Sequence, residues 1–227
     1  MMRVPSHAKL VGGVWLPEDE THLVDMMLHN PRGTVFRDGK ATYQIHKLDA
    51  CLARLPKTRC SVCVDVGAHV GLWSMWLAKA FRTVHAFEPM DLHADLFQFN
   101  VPDENVVLHR MALGDEPGFC KVMSVGESSG DAFVKPGTGN VEVRTLDSFA
   151  FEEVDFVKID VEGFECQVVE GGRDTLLRNK PLICIEQKDK EAQNFGGMPK
   201  AALSFLFGLG MVRMLEIHGD HILGWRG

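Results

Sequence analysis

The residues with the clearest chemical potential lie between positions 65 and 88. Asp65-Val-Gly-Ala-His-Val-Gly71 follows an apolar, strand-like stretch and opens an amphipathic one, the setting in which a glycine-rich turn takes a ligand. Gly67 allows backbone to approach a bound molecule. Gly71 allows a helix to begin close against the strand, with free N–H groups at its start. The dinucleotide pattern G-x-G-x-x-G is not met, because Asp65 stands at its first glycine. A carboxylate there repels a pyrophosphate and suits a cationic amino group. Farther along, Ala86-Phe-Glu-Pro89 puts Glu88 at the end of a second strand, where a carboxylate can accept both hydroxyls of a ribose. An amino acid at one end and a ribose at the other describe S-adenosylmethionine. The plainer alternative is an ordinary turn followed by a solvated strand-end carboxylate.

A second acidic group follows later strands: Asp160 and Glu162 after Asp155–Ile159, and Glu186 at the end of Leu182–Glu186. Open α/β sheets bind ligands at these carboxyl ends. Methyl transfer from a sulfonium is an in-line displacement, so alignment of donor and acceptor is the main task, worth roughly 7–11 kcal/mol. A hydroxyl acceptor also gains about 10²–10⁴-fold from a general base. Asp160 is the expected base or acceptor-orienting group, with Glu186 beside it. Converging, Asp160, Glu162 and Glu186 offer an alternative as a Mg²⁺ site that acidifies the acceptor hydroxyl. The bland reading makes Glu162 and Glu165 first-turn acids of the next helix.

These residues need a scaffold, and from residue 60 the chain alternates short apolar strands with amphipathic segments, as βαβ units with a parallel sheet do. Strands are expected at Ser61–Val66, Val84–Phe87, Val106–His109, Asp155–Ile159 and Leu182–Glu186. Helices are expected at Gly71–Phe81, Asp91–Asn100 (Leu92, Leu96 and Phe99 on one face), Gly163–Leu177 and Ala201–Phe207. Residues 111–147 lack a helix but hold strand-like Phe119–Val125 and Val141–Leu146 around a loop at Gly126–Asp131, which reads equally as a substrate lid or a plain connection; the role of 126–139 is left open. Met211–Ile217, Gly219-Asp220 and His221–Trp225 read as an antiparallel hairpin. Residues 1–58 form an accessory or cap region, with helices at Thr21–His29 and Lys47–Arg54 and an extended piece at Thr42–Ile45. Residues 59–227 form the domain that binds the donor.

With 227 residues, 45% of them hydrophobic, the chain can bury a sizeable core. A net charge of −7 with no long Lys/Arg run argues against nucleic acid as partner. No apolar run approaches the ~20 residues of a membrane span, and residues 1–13 lack a signal peptide's apolar core. A cytoplasmic protein is therefore expected, with no membrane partner. Cys60-x-x-Cys63 has no second pair to complete a zinc site, so both cysteines read as small strand hydrophobes. His85 and His109 read as packed strand residues, and Trp15, Trp73 and Trp76 as core or as a shelf for the cofactor. Oligomeric state is left open.

VDVGAHVG at 64–71, AFEP at 86–89, NVVLHRMALGD at 105–115, TLD at 145–147, VKIDVEGFE at 157–165 and PLICIE at 181–186 together resemble the FkbM family of methyltransferases over roughly residues 60–190. K-I-D-V-E-G-x-E is a hallmark of that family. The resemblance implies a class I fold: a mostly parallel, Rossmann-like sheet of seven strands, helices on both faces and a C-terminal antiparallel hairpin. It implies that Asp65, Gly67 and Gly71, with Ala68 and His69 of the same loop, hold the methionine part of S-adenosylmethionine. Glu88 takes the ribose, Arg110-Met111-Ala112 lie near the adenine, and Asp160 lies beside the reactive methyl. Known members methylate hydroxyls of sugars or natural products, so a small-molecule or glycan acceptor is expected. Where members often carry a histidine, this chain reads Gln187-Lys188. Two rivals stay open: a nucleic-acid methyltransferase of the same fold, against which stand the missing [DN]-P-P-[FYW] and Pro-Cys motifs, and a non-catalytic protein that binds S-adenosylmethionine.

Overall fold

The computed structural model describes residues 5–29, 34–124, 132–137, 139–187 and 201–226. Two short hairpins open the chain, β1 (Ala8–Val11) with β2 (Val14–Pro17), and, beyond helix α1 (His22–Leu28), β3 (Phe36–Arg37) with β4 (Lys40–Ala41). Helix α2 (Ile45–Leu52) follows. The extended piece expected at Thr42–Ile45 is largely replaced: pairing stops at Ala41, and Gln44 takes a left-handed conformation (φ 48°) at the start of α2.

The central sheet then forms from β5 (Val62–Val66), α3 (Ser74–Ala80), β6 (Thr83–Phe87), α4 (Asp91–Asn100) and β7 (Val106–His109). A separate four-stranded sheet interrupts it, built from β8 (Ala112–Leu113), β9 (Gly118–Ser124), β10 (Ala132–Pro136) and β11 (Val141–Arg144) in the order β10-β9-β11-β8. The chain returns through a 3₁₀ turn (Leu146–Phe149) to β12 (Val154–Ile159), α5 (Glu165–Glu170), α6 (Arg173–Asn179), β13 (Leu182–Glu186), α7 (Ala201–Gly208), β14 (Met211–Ile217) and β15 (Asp220–Trp225). Seven strands pair in the order β14-β15-β13-β12-β5-β6-β7. β15 is antiparallel to β13 and β14, and the rest are parallel. This is the expected class I arrangement with its C-terminal hairpin. His218 and Gly219 both have positive φ (49° and 90°), as a two-residue type I′ turn requires.

Three expected elements differ in detail. The helix after Gly71 begins only at Ser74, because residues 67–73 form a turn with positive φ at Gly67, His69 and Gly71. The helix expected over Gly163–Leu177 divides into α5 and α6 at Gly171-Gly172, where the Asp147 carboxylate accepts from the N–H groups of Asp174 and Thr175 and so starts a new helix. The buried face of α4 is His93, Leu96, Phe97 and Asn100, one residue round from Leu92, Leu96 and Phe99. Of the loop expected at 126–139, residues 126–131 and 138 fall outside the described residues, as does Val125, while Ala132–Pro136 is strand β10 paired with β9.

Side chains alternate across the sheet. Cys63 and Phe156 join the core formed with residues of 1–58, α3 and α4, whereas Val64, Val66, Val157 and Ile159 join the core under α5, α6 and α7. Asp65 and Lys158 therefore sit on the first of these faces. Among the described residues, no helix is long and apolar enough to cross a membrane.

Candidate functional site

The carboxyl ends of β5, β6, β12 and β13 open into a cavity of about 290 Å³. Its floor is the turn after β5. The Gly67 and Ala68 N–H groups both donate to the Phe87 carbonyl (3.0 Å each), which lashes the turn to β6. At Gly67 (φ 77°) a Cβ would stand 1.8 Å from the Asp160 carbonyl oxygen, so only glycine lets this turn lie against the end of β12. At Gly71 (φ 89°) a Cβ would meet Val101 and Phe97 at 2.4 and 3.0 Å. That glycine thus seats the turn against α4, and it does not line the cavity.

Glu88, just past β6, lines the cavity and is 5% exposed. One carboxylate oxygen accepts from the His69 N–H (2.8 Å), the other from the Met90 N–H (2.9 Å). His93 Nδ1 lies 3.4 Å from the second oxygen, and the His69 and His93 rings pack at 4.0 Å. Three groups thus orient a carboxylate that retains lone pairs for a ligand.

Asp65 occupies a different position from the one its motif suggests. It is fully buried, accepts from Ser74 Oγ (2.6 Å), lies 3.3 Å from Lys158 Nζ, and does not line the cavity. Arg110 also faces away, donating to Asp95 (2.6 Å), whereas Met111 and Ala112 line the wall. Gly67, Ala68, His69, Glu88, Met111, Ala112, Asp160, Glu162 and Glu186 are all brought to the one cavity; Asp65, Gly71 and Arg110 stand behind it.

Asp160, Glu162 and Glu186 converge, with one carboxylate oxygen from each within 4.8 Å of the others. Glu162 holds φ 52° to reach that position. Exposed acids often converge so without an ion, and nothing else at the site points to a metal. Glu165 is separate and 1% exposed. Burial raises its carboxyl to about 7 with help from Asp160 and Glu162, against the lowering effect of backbone hydrogen bonds that include the Gly163 N–H.

Sequence reasoning passed over two sets of residues. Lys158 was visible as a lysine between Val157 and Ile159 in a mostly apolar strand, where a charge survives only if paired. His22, Leu23, Met26, Tyr43 and Gln44 line the cavity from the N-terminal region and carry no local signal. Glu20, 1% exposed, accepts from the Leu23 N–H (2.8 Å) and so fixes the start of α1, while Gln44 Nε2 donates to the Tyr43 hydroxyl (2.8 Å). Gln187, in the place of the family's histidine, accepts from the Leu203 N–H of α7 (3.2 Å). Lys188 lies outside the described residues. His85 and His109 are packed as expected, 3.1 Å apart and stacked on Phe151 and Phe87.

Residues 65–217 match the Methyltransferase FkbM domain. The chain belongs to the FkbM methyltransferase family. Solved structures similar to this chain include methyltransferase FkbM from Methylobacillus flagellatus KT, at 17% identity and TM-score 0.48 over 73% of this chain and 44% of that one. An rRNA methylase from Streptococcus thermophilus shares 16% identity, with TM-score 0.47 over 80% of this chain and 96% of that one. The N-methyltransferase NodS from Bradyrhizobium japonicum WM9, solved with S-adenosyl-L-homocysteine, shares 9%, with TM-score 0.46 over 79% and 84%. This chain thus spans less than half the length of the Methylobacillus protein. No curated protein matches it.

Proposed function

We propose that this FkbM-family chain transfers a methyl group from S-adenosylmethionine to a hydroxyl of a sugar or small natural-product-like acceptor. The observation that carries this reading is the oriented Glu88 carboxylate sharing one cavity with the Gly67 cradle and with Asp160 and Glu186. The residues present fit such a donor. Glu88 offers acceptors for ribose hydroxyls, Leu72, Trp73, Phe87 and Met111 offer apolar surface for a flat base, and Gly67 admits a chain close to backbone. When bound, the donor supplies an already activated sulfonium methyl. Asp160 or Glu186 takes or orients the acceptor hydroxyl's proton, and the wall formed by His22, Met26, Tyr43 and Gln44 excludes water and holds the acceptor in line.

Calorimetric titration with S-adenosylmethionine tests the donor site. The wild type is expected to bind, and Glu88→Ala to bind at least about tenfold more weakly, since hydrogen bonds to charged groups contribute about 1.5–3 kcal/mol. A wild type that binds nothing at millimolar donor overturns the reading. Turnover is then screened on neutral hydroxylated acceptors with EDTA and with Mg²⁺. Activity lost in EDTA and restored by Mg²⁺ would reassign Asp160, Glu162 and Glu186 to a metal.

A further inference from the structure

Every residue of β12 is buried, yet its fifth is a lysine. In the register of the parallel pair, Lys158 stands opposite Asp65. Its ammonium has three N–H groups and three oxygens around it: the Gly67 carbonyl at 2.7 Å, Asp65 Oδ1 at 3.3 Å and Asp160 Oδ2 at 3.8 Å. These oxygens belong to three pieces of the site. Asp65 lies behind the cavity, Gly67 is its floor, and Asp160 is one of its carboxylates. The junction is already tight, because the Asp160 N–H donates to the Val66 carbonyl (3.1 Å) and Gly67 leaves no room for a Cβ against Asp160.

Resting on the donor-site reading above, we propose that Lys158 is a positioning residue for the methyl donor, tying the Gly67 turn to Asp160, and that Asp65 acts on the donor only through Lys158. A buried ammonium must find acceptors for all three of its N–H groups, and buried ion pairs are weak stabilisers compared with apolar packing. The acceptors beyond Asp65 are the floor of the cavity and one of its carboxylates. Here the ammonium bridges two strand ends and a turn at the point where the cavity is narrowest in chemistry: donor floor on one side, acceptor carboxylate on the other. Burial pulls the Lys158 pKa down, but Asp65 and Asp160 more than offset it and hold the ammonium charged above the ordinary lysine range. Asp65, sealed behind that ammonium, has no path of its own to the cavity.

The test is a double-mutant cycle read by donor calorimetry and thermal unfolding, on the wild type, Asp65→Asn, Lys158→Met and the double variant. Lys158→Met is expected to weaken S-adenosylmethionine binding at least fivefold. Asp65→Asn is expected to cost affinity in the wild-type background and nothing further beside Lys158→Met. The double variant, with both buried charges removed, is expected to melt nearer the wild type while its donor affinity stays low. Lys158→Met binding within fivefold of the wild type overturns the proposal, and so does an Asp65→Asn penalty that is equal in both backgrounds. If the variants do not fold, lysine-selective ¹⁵N spectra of the unaltered protein give the answer. The protected, slowly exchanging ammonium must shift on saturation with S-adenosylhomocysteine, and an unchanged signal rejects the proposal. A wild type that binds no donor is a different failure: there the donor-site reading itself falls.

Discussion

At the scale of single residues, one buried group and one half-buried group give the protein opposite responses to pH. Glu165 keeps its proton up to about 7 against an ordinary 4.5, chiefly because burial penalises its charge. The folded state therefore holds more protons than the unfolded chain between those values. Its contribution is fully present below about 4.5 and is lost as pH rises through 7. The whole effect is on the order of 3 kcal/mol. Urea unfolding at pH 5, 6, 7 and 8 should show Glu165→Gln gaining on the wild type as pH rises to about 7, so that the two slopes differ. An unchanged slope would mean that Glu165 is ionised in the folded protein at neutral pH. His109 acts the other way. Burial, then His85 and Arg144, lower it from 6.5 to about 4, so the folded state resists a proton that the unfolded chain accepts. That stability is present above 6.5 and is lost as pH falls toward 4. The two windows overlap between about 4.5 and 6.5, so the two slopes oppose each other there. His109→Phe should therefore leave the Glu165 loss uncancelled and make stability fall more steeply from about pH 5 to 7 than in the wild type.

At the scale of elements, Gly67 separates two costs that usually arrive together. Gly67→Ala meets a left-handed backbone penalty of about 1–2 kcal/mol and also drives a methyl to 1.8 Å from the Asp160 carbonyl. Gly39 has nearly the same φ, 76° against 77°, with nothing within 4 Å of an added Cβ. Gly39→Ala should therefore cost only the backbone penalty and leave donor binding intact. Gly67→Ala should cost clearly more and weaken donor binding at least about tenfold, since the β5 turn must withdraw from β12. Equal losses in melting temperature would show that the clash relaxes freely. The central strands and the hairpin were legible in the sequence because strand periodicity and flanking Gly, Pro and Asp residues are local signals. The division of α5 from α6 was not. Its decisive contacts are Asp147 with Asp174 and Thr175, and Gly171 with the Gly114 carbonyl, which a Cβ would reach at 1.9 Å. Both join segments far apart in the chain. Likewise Asp65 was read from its motif as a donor ligand, while its burial depends on Lys158, more than ninety positions away.

At the scale of the molecule, residues 1–58 read in sequence as an accessory or cap region, because they lie before the break at Pro56 and the βα alternation that starts at residue 60. In the structure Val14, Leu16, Met27 and Leu48 share one core with Leu77, Leu96 and Phe156. Asn100 of α4 accepts from the backbone N–H of Trp15 in β2 (2.8 Å) and donates to the Trp15 carbonyl (2.9 Å) and to the Val70 carbonyl in the turn after β5 (2.8 Å). The farthest-reaching link is Lys47 of α2 with Asp220 of β15, 2.8 Å apart, their side chains 4% and 8% exposed. Burial raises the Asp220 carboxyl above its ordinary 3.8, and Lys47 partly counters it. Lys47→Met removes that counter-charge and leaves a buried carboxylate alone, at a cost of about 3–5 kcal/mol. Because Asp220 then holds its proton to higher pH, the deficit should be greatest near neutrality and shrink on acidification. Lys47→Met with Asp220→Asn should recover most of the loss, for no buried charge remains. If the single variant unfolds like the wild type at pH 7, α2 detaches from the hairpin at little cost and residues 1–58 behave as a loose cap. If it shows the predicted deficit, α2 is anchored to the sheet itself, and with it Tyr43 and Gln44, which line the cavity just before that helix.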